Sequence, residues 1–324
     1  MTKAIRQYSL YLSALVVPFF SCCSTADVKT DVEIIDPNGY NLKVQDMRVR
    51  DPFILVDPVS QAYYMQAGNN PGFKVYKSQD LLLWRDLGSS FTPAADFWGK
   101  KDFWAPDLYL YKEKYYLFGT FSADGKKRGT SILVADAPQG PFKPLVNKAV
   151  TPPNWMCLDG SLFIDNDNKP WIIYCHEWLE VTDGTVVAQR LTDDLKDTAS
   201  VRQVLFKATD APWVGSITSG TTTGYITDAP FIHKNDDGSL VMLWSSFRKD
   251  GKYAIGQAIS RNGNILGPWE QSAESLNDDD GGHAMLFRDL KGRLMISYHA
   301  PNSATEKPTI KEVYIKDGKV SLNK

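Results

Sequence analysis

Four aspartates and one histidine recur along the chain at intervals of 52 to 69 residues: Asp51, Asp107, Asp159, Asp228 and His283. Carboxylates gathered in one pocket can hydrolyse a glycosidic bond, because that reaction needs a carboxylic acid to protonate the leaving oxygen and a carboxylate to activate water. Crowded carboxylates also raise one another's pKa, which keeps one of them protonated near neutral pH. A single aspartate at a strand start usually caps a turn instead, so this chemistry requires the whole set to meet.

Each of these residues stands near the start of a strand–turn–strand unit that is rich in aromatic residues. A repeat of about 50 residues made of strands is typical of propeller blades. We therefore predict an all-β fold, a five-bladed β-propeller, in which the first strand of every blade begins near one central axis. The five units are 51–56 with 62–67, 106–111 with 114–119, 158–164 with 170–174, 227–232 with 239–244, and 282–287 with 293–298.

The ends of the second strands should meet the same set of residues, because the second strand of an antiparallel hairpin ends beside the start of the first. These ends contribute amides, hydroxyls, imidazoles and aromatic rings, a mixture that can bond many hydroxyls and stack on a sugar ring. We predict that His176, Trp178 and Ser245 bind substrate there. Glu177, between two of them, is a carboxyl group that faces the same funnel.

The composition bounds the class of protein. Of the 324 residues 43% are hydrophobic and the formal net charge is −2, which allows a large core and excludes a dedicated nucleic-acid binder. Helical periodicity never extends beyond a turn or two and no long linker follows residue 45, so we predict one propeller domain over residues 46–324. Within it, Cys157 and Cys175 flank the third hairpin, and two buried thiols are favoured over a disulfide.

The N-terminal segment predicts export. Lys3 and Arg6 precede an apolar stretch that is too short to span a bilayer, and Ser21-Cys22-Cys23 follows it. We predict a lipoprotein-type signal peptide over residues 1–22, with an ordinary secretory signal as the alternative, and a polar tether over residues 23–45. The protein would then be a bacterial envelope lipoprotein, in the periplasm or at the cell surface, that meets the membrane only through its lipid anchor.

Five motifs carry a resemblance to glycoside hydrolase family 43, the five-bladed propeller arabinanases, arabinofuranosidases and xylosidases, from about Val49 onward. The resemblance implies that Asp51 is the general base and that Asp159 tunes the pKa of the acid and orients it. It implies that Trp104 and Asp107 line the sugar pocket, and that His283 lies near the axis beside a calcium ion or a water. No cofactor is required, and a structural calcium is possible in the family. The motifs are Arg50-Asp-Pro, Trp104-Ala-Pro-Asp, Leu158-Asp-Gly-Ser-Leu-Phe, the strand start at Asp228, and Asp280-Gly-Gly-His.

The general acid departs from the family pattern. The family places a Glu before Gly-Pro or Ala-Pro, whereas this chain reads Asp228-Ala-Pro. Aspartate is one methylene shorter, and a displacement of about 1 Å can cost on the order of 100-fold in rate. Three alternatives stay open: Asp228 is the acid with its surroundings adjusted, Glu177 supplies the acid, or hydrolysis has been lost and the site only binds glycans.

The resulting expectation is an inverting, exo-acting glycosidase that releases α-L-arabinofuranosyl or β-D-xylosyl units from plant-type polysaccharides or oligosaccharides. Exo action is favoured by two long insertions, residues 90–103 and 208–224, which should rise over the face that holds the carboxylates. The alternative is a non-catalytic glycan-binding propeller of the bacterial envelope.

Overall fold

The computed structural model describes residues 39–322. Five antiparallel sheets follow one another along the chain, and the innermost strand of each contacts the innermost strand of the next. The innermost strand of the last sheet contacts that of the first, which closes the ring. The predicted all-β, five-bladed propeller is confirmed.

The strands are numbered in chain order. The first two blades comprise β1 Leu42–Lys43, β2 Phe53–Asp57, β3 Ala62–Gly68, β4 Phe73–Ser78 and β5 Leu83–Phe91, then β6 Lys101–Tyr111, β7 Lys114–Ala123, β8 Lys126–Ala135 and β9 Lys143–Pro144. The third comprises β10 Cys157–Ile164, β11 Pro170–His176, β12 Thr185–Arg190 and β13 Gln203–Lys207. A hairpin of β14 Ile217–Ser219 and β15 Thr222–Gly224 precedes the fourth blade. The last two blades comprise β16 Asp228–Lys234, β17 Leu240–Phe247, β18 Tyr253–Ser260 and β19 Glu270–Gln271, then β20 Gly282–Arg288, β21 Leu294–Ala300, β22 Lys307–Lys316 and β23 Lys319–Leu322.

In the described part of the chain, helical structure is confined to single turns. An α-helical turn, α1, covers Trp178–Val181, and two 3-10 turns cover Val44–Asp46 and Ala208–Asp210. No helix within residues 39–322 has the length and apolar character needed to cross a membrane.

The propeller begins earlier than the boundary predicted at residue 46. Strand β1 pairs with β5, joining Leu42 to Trp84, and Tyr40 is already buried. Residues 39–45 therefore belong to the first blade rather than to a tether. The predicted signal peptide, and the rest of the predicted tether, lie outside the described residues.

A shared irregularity defines the equivalent position in every blade. In every blade a residue at or near the start of the inner strand has a left-handed backbone: φ is 51° at Asp51, 47° at Ala105, 52° at Asp159, 51° at Ala229 and 56° at His283. A non-glycine residue adopts this conformation only at a cost that the surrounding structure must offset. In blades 2 to 5 the strand ladder also skips residues at this point, as a β-bulge.

These positions correct the repeat alignment. The equivalent residues are 54, 54, 70 and 54 apart, a more regular period than the sequence pattern indicated. Asp107 lies two residues beyond the equivalent position of its blade, and Asp228 lies one residue before it. The alternation of apolar and polar residues cannot locate a bulge, because the bulge itself interrupts that alternation. The interval of 70 contains the insertion at residues 208–224.

Both insertions connect the outer edge of one blade to the inner strand of the next. They therefore lie at the mouth, defined as the end of the axis where the inner strands begin. The aromatic side chains of residues 90–103 do not project there: Phe91, Phe97 and Phe103 are buried, and the rings of Phe97 and Phe121 pack edge to face with centroids 5.0 Å apart. Trp213 of the second insertion is likewise buried, 5.4 Å from the ring of Trp244.

The two cysteines of the third blade are buried free thiols. Leu158 pairs with Cys175, and Cys157 pairs with His176, so the cysteines lie on adjacent strands without being bonded to each other. The prediction of two buried thiols is confirmed.

Candidate active site

Asp51 lies at the mouth between two histidines. Its Oδ1 is 3.1 Å from Nδ1 of His283 and 3.2 Å from Nδ1 of His299, and Arg50 Nε is 3.9 Å away. Burial alone would raise the pKa of Asp51, but the two imidazoles bring it well below its usual range. Asp51 is therefore a carboxylate at neutral pH, as activation of a water requires.

His283 is the positive charge at the centre of the cluster. Burial would lower the pKa of His283, but the carboxylates of Asp51, Asp159 and Asp107 raise it to about 10. Its Nδ1 is 3.9 Å from Oδ2 of Asp159, and its backbone N–H donates to Ser245 Oγ over 2.9 Å. The imidazolium partly balances the negative charge that the aspartates bring to the axis.

Asp159 connects the second, third and fourth blades. Its backbone N–H donates to Thr120 Oγ1 over 2.9 Å, and its Oδ2 accepts a hydrogen bond of 3.0 Å from the backbone N–H of Ala229. Burial raises the pKa of Asp159, and the charge of Asp51 raises it further, against the lowering effect of His283. The carboxylate thus holds the backbone of the residue that follows the predicted acid.

Asp228 has the opposite electrostatic character to Asp51. Burial, with Asp159 adding to it, raises the pKa of Asp228 to about 8. The hydroxyl of Tyr253 donates to Asp228 Oδ2 over 2.9 Å, which fixes the shorter side chain in place. The ring of Tyr253 lies nearly parallel to that of His299, with centroids 5.9 Å apart. At neutral pH Asp228 is protonated while Asp51 is not, and such a difference distinguishes an acid from a base.

Asp107 lies deeper along the axis than the other aspartates. It pairs with Phe118, whereas Trp104, nearer the strand start, pairs with Thr120. The hydroxyl of Tyr109 donates to Asp107 Oδ2 over 3.0 Å, and burial raises the pKa of Asp107 to about 8. Asp107 is therefore a neutral, hydrogen-bonding group beneath the mouth.

Glu177 is engaged in an ion pair. Arg128 Nη1 donates a hydrogen bond to Oε2 of Glu177, and Arg128 Nε is 3.1 Å from Oδ2 of Asp102. The same guanidinium lies over the ring of Trp104, 4.2 Å from the centroid. Burial raises the pKa of Glu177 above its ordinary value, although the charge of Arg128 and its hydrogen bond act in the opposite direction.

The remaining predicted sugar-binding side chains are packed into the walls. The His176 ring stacks on Trp155 at 4.1 Å and its Nε2 lies 3.0 Å from Glu180 Oε2, while Trp178 is buried beneath Gly224. The Oγ of Ser245 accepts the His283 N–H and is fully buried. The end of a strand locates the backbone but leaves open which way each side chain points. These three support the mouth in this structure, and direct contact with a sugar stays a prediction for them.

The chemistry of His283 also bears on calcium. A cation at Nδ1 would need the lone pair that the proton occupies when Asp51 holds the imidazolium. Within residues 39–322 no group of three or more His, Cys, Asp or Glu side chains is arranged to hold a metal ion. A structural calcium beside His283 stays a prediction, and no chemical step below depends on it.

Three site residues were missed by the sequence analysis: Tyr253, His299 and Arg128. His299 ends the second strand of its blade, so the strand-end rule located it, yet nothing in the sequence showed that it contacts Asp51. Tyr253 and Arg128 belong to third strands, β18 and β8, which that rule did not consider. Tyr253 reaches Asp228 from the third strand of the same blade, whereas Arg128 reaches Glu177 across the boundary between the second and third blades.

Gly282 provides the space that Tyr253 occupies. A Cβ on Gly282 would lie 2.1 Å from Cε1 of that ring. We expect Gly282→Ala to displace Tyr253 from Asp228 and to destabilise the protein by about 1–3 kcal/mol, as overpacking of a core does. Urea denaturation measures the change. Gly68→Ala is the matched control, since its Cβ would come no closer than 3.6 Å to any atom. Equal stability of the two variants would contradict this account.

Comparison with known proteins decides the family. The model of Glycosyl hydrolases family 43 matches residues 43–320. The chain belongs to glycoside hydrolase family 43. Among solved structures, this family 43 chain is similar to an endo-arabinase from Bacteroides thetaiotaomicron, with 64% identity and a TM-score of 0.85 over 86% of this chain and 98% of that one.

Two relatives are more distant. An extracellular exo-α-(1→5)-L-arabinofuranosidase from Cellvibrio japonicus is 23% identical over 68% of this chain and 66% of its own length. An extracellular endo-α-(1→5)-L-arabinanase from Bacillus subtilis is 26% identical over 65% of this chain and 64% of its own length. This family 43 chain therefore spans just under two thirds of each relative.

Proposed function

We propose that this protein hydrolyses α-(1→5)-linked L-arabinofuranosyl bonds within arabinan-type chains, with inversion at the anomeric carbon. The observation that carries the proposal is that one buried cluster at the mouth contains both an ionised Asp51 and a protonated Asp228. The choice of sugar is supported by the three similar proteins, all of which are described as acting on arabinan linkages or as arabinases.

Each carboxyl group has one task in this mechanism. Asp51 takes a proton from a water molecule as the water oxygen attacks the anomeric carbon. Asp228 gives its proton to the glycosidic oxygen as the bond from that oxygen to the anomeric carbon breaks. The products are a sugar hemiacetal of inverted configuration and a free hydroxyl on the leaving chain. Asp159 keeps the pKa of Asp228 high and holds the backbone beside it. For a water to fit, the carboxyl groups of base and acid should be about 6.5–9.5 Å apart.

Asp228 is a better acid than Glu177 on electrostatic grounds. A general acid must carry its proton at the working pH. The charge and the hydrogen bond of Arg128 oppose the burial that raises the pKa of Glu177. Burial and the charge of Asp159 raise the pKa of Asp228 to about 8, despite the hydrogen bond that Tyr253 donates to it. That bond compensates for the short side chain by holding it in one place.

Cleavage within the chain is favoured over release of single terminal units. The expectation of exo action depended on bulky insertions covering the mouth, yet Phe91, Phe97, Phe103 and Trp213 are buried in the core. The similar structure at 64% identity is described as an endo-arabinase. We therefore propose endo action, and treat xylosidic bonds as the second class of substrate to assay.

Export is supported by the two relatives described as extracellular. A lipid anchor on one of the N-terminal cysteines remains part of this proposal and concerns residues outside the described range. Mass spectrometry of the mature N-terminus distinguishes a lipid anchor from an ordinary cleaved signal.

Incubation with linear α-(1→5)-arabinan tests the proposed function. We expect the viscosity to fall early and the first products to be oligosaccharides, with new reducing ends that are initially β-configured in the NMR spectrum. Arabinose as the sole early product would establish exo action instead. If the protein binds arabinan but releases no product from arabinan or from xylan-type substrates, the glycan-binding alternative replaces hydrolysis.

A further inference from the structure

We propose that Arg128 is a positioning residue for glycan binding: it holds the indole of Trp104 as a flat platform at the mouth. This inference rests on the proposed function, because it assumes that the ligand is a glycan. It deepens that function by naming a residue that determines affinity without touching the reacting atoms.

Trp104 has the exposure that a stacking platform needs. Trp104 is 41% exposed, although Trp is usually buried. It directly precedes Ala105, the residue with the left-handed backbone at the mouth. One face of the ring is covered by the guanidinium of Arg128, 4.2 Å from the ring centroid. The exposed remainder of the indole is available to the apolar face of a sugar ring.

Arg128 is held over the ring by two carboxylates. Its side chain is only 16% exposed and lies between two carboxylates, with Nε 3.1 Å from Asp102 Oδ2 and Nη1 bonded to Glu177. Asp102 is itself held by a hydrogen bond of 2.6 Å from Ser122 Oγ. A guanidinium fixed by two partners loses little further entropy on stacking, so the platform is rigid before the ligand arrives.

The two carboxylates that hold Arg128 come from different blades, so the platform lies at the boundary between those blades. Asp102 belongs to the inner strand of blade 2, whereas Glu177 directly follows the second strand of blade 3. Arg128 therefore ties Trp104 to the neighbouring blade beside Asp159. A glycan stacked on the indole would extend from the carboxylate cluster across the boundary between these two blades.

The experiment compares Arg128→Met with Trp104→Ala and with the double variant, using α-(1→5)-arabinohexaose. Lys127→Met is the matched control, because Lys127 is the adjacent cation on the same strand and bonds Glu180 instead. Affinity is measured by calorimetry in an Asp51→Asn background, and KM and kcat are measured with Asp51 intact. Met keeps the length of the stem but has no charge to stack.

We expect Arg128→Met and Trp104→Ala each to weaken hexaose binding and raise KM about 10-fold, the order of a stacking contact, while kcat changes little. The double variant should lose no more than Trp104→Ala alone, because Arg128 acts through the ring. Lys127→Met should match the wild type. Additive losses, or an Arg128→Met affinity equal to that of Lys127→Met, would overturn the inference.

Two further outcomes are separable. If Arg128→Met lowers the melting temperature too far to assay, Asp102→Asn is used instead, because it removes one of the two carboxylates that hold Arg128. A rise of KM with unchanged melting temperature supports the positioning role, whereas an unchanged KM overturns it. If the wild type neither binds nor cleaves arabinohexaose, the proposed function fails rather than the positioning role. The same variants are then compared on xylohexaose. Equal affinity of all variants for xylohexaose overturns the positioning role.

Discussion

Asp51→Asn is expected to lower kcat on arabinan by about 10²–10⁴-fold, the range that a positioned general base contributes. The amide keeps the size of the carboxyl group and its contacts with His283 and His299, but it cannot accept a proton from water. Binding of arabino-oligosaccharides should therefore persist. Steady-state kinetics and calorimetry on the same preparation measure the two effects separately.

The substitution should also be visible at His283. Asp51 is the charge that does most to raise the pKa of this histidine to about 10, so its removal should lower that pKa, as NMR titration of the imidazole would show. Asp124→Asn is the control, since Asp124 is an exposed aspartate whose ion pair, within residues 39–322, is with Lys101. Near-normal turnover by Asp51→Asn would refute the assignment of the base.

Asp228→Asn is expected to nearly abolish cleavage of arabinan and to spare aryl glycosides with acidic phenols. A poor leaving group needs a proton in the transition state, whereas an acidic phenol departs as an anion. The loss on the natural bond should be about 10²–10⁴-fold, the usual contribution of a general acid. Rates on both substrates, measured with each variant, give the ratio that identifies the acid.

Glu177→Gln is the discriminating companion. It removes the charge that pairs with Arg128, but it should not lower the rate on substrates with poor leaving groups more than the rate on substrates with good ones. If Glu177→Gln shows that difference and Asp228→Asn does not, the two assignments must be exchanged. Asp228→Glu adds a methylene, and steric conflict with Tyr253 should lower activity because the hydroxyl already holds the shorter acid at 2.9 Å.

The pH dependence of hydrolysis follows from the pKa values of Asp228 and Asp51. Burial and Asp159 raise the pKa of Asp228 to about 8, so activity should fall as the pH rises through about 8 and the acid loses its proton. The pKa of Asp51 lies well below its usual range, so the base stays ionised until strongly acidic pH. This alkaline limb should be steep on arabinan, weak on aryl glycosides with acidic phenols, and absent in Asp228→Asn. A limb that persists there would belong to another group.

Much of the fold could be read from the sequence because its information is local. Alternating apolar residues and corner residues determine each hairpin, and five repeats determine the number of blades. The motifs around Asp51, Asp159 and His283 pointed to residues that the structure brings into contact at one end of the axis. Each of these three occupies the left-handed position of its blade.

Other features arise only in the tertiary structure. The bulges shift Asp107 and Asp228 away from the equivalent position, and no local pattern reveals them. The pairing of Glu177 with Arg128 joins residues 49 positions apart. The bond from Tyr253 to Asp228 requires the absence of a side chain at Gly282 in another blade.

The protonation states are the clearest case of tertiary control. The sequence by itself determined that several aspartates approach the axis, but it contains four chemically identical side chains. Burial raises the pKa of each, but His283 and His299 bring that of Asp51 well below its usual range, whereas the charge of Asp159 adds to burial and raises that of Asp228 to about 8. Charge interactions depend on distance and burial, and the folded structure alone decides both.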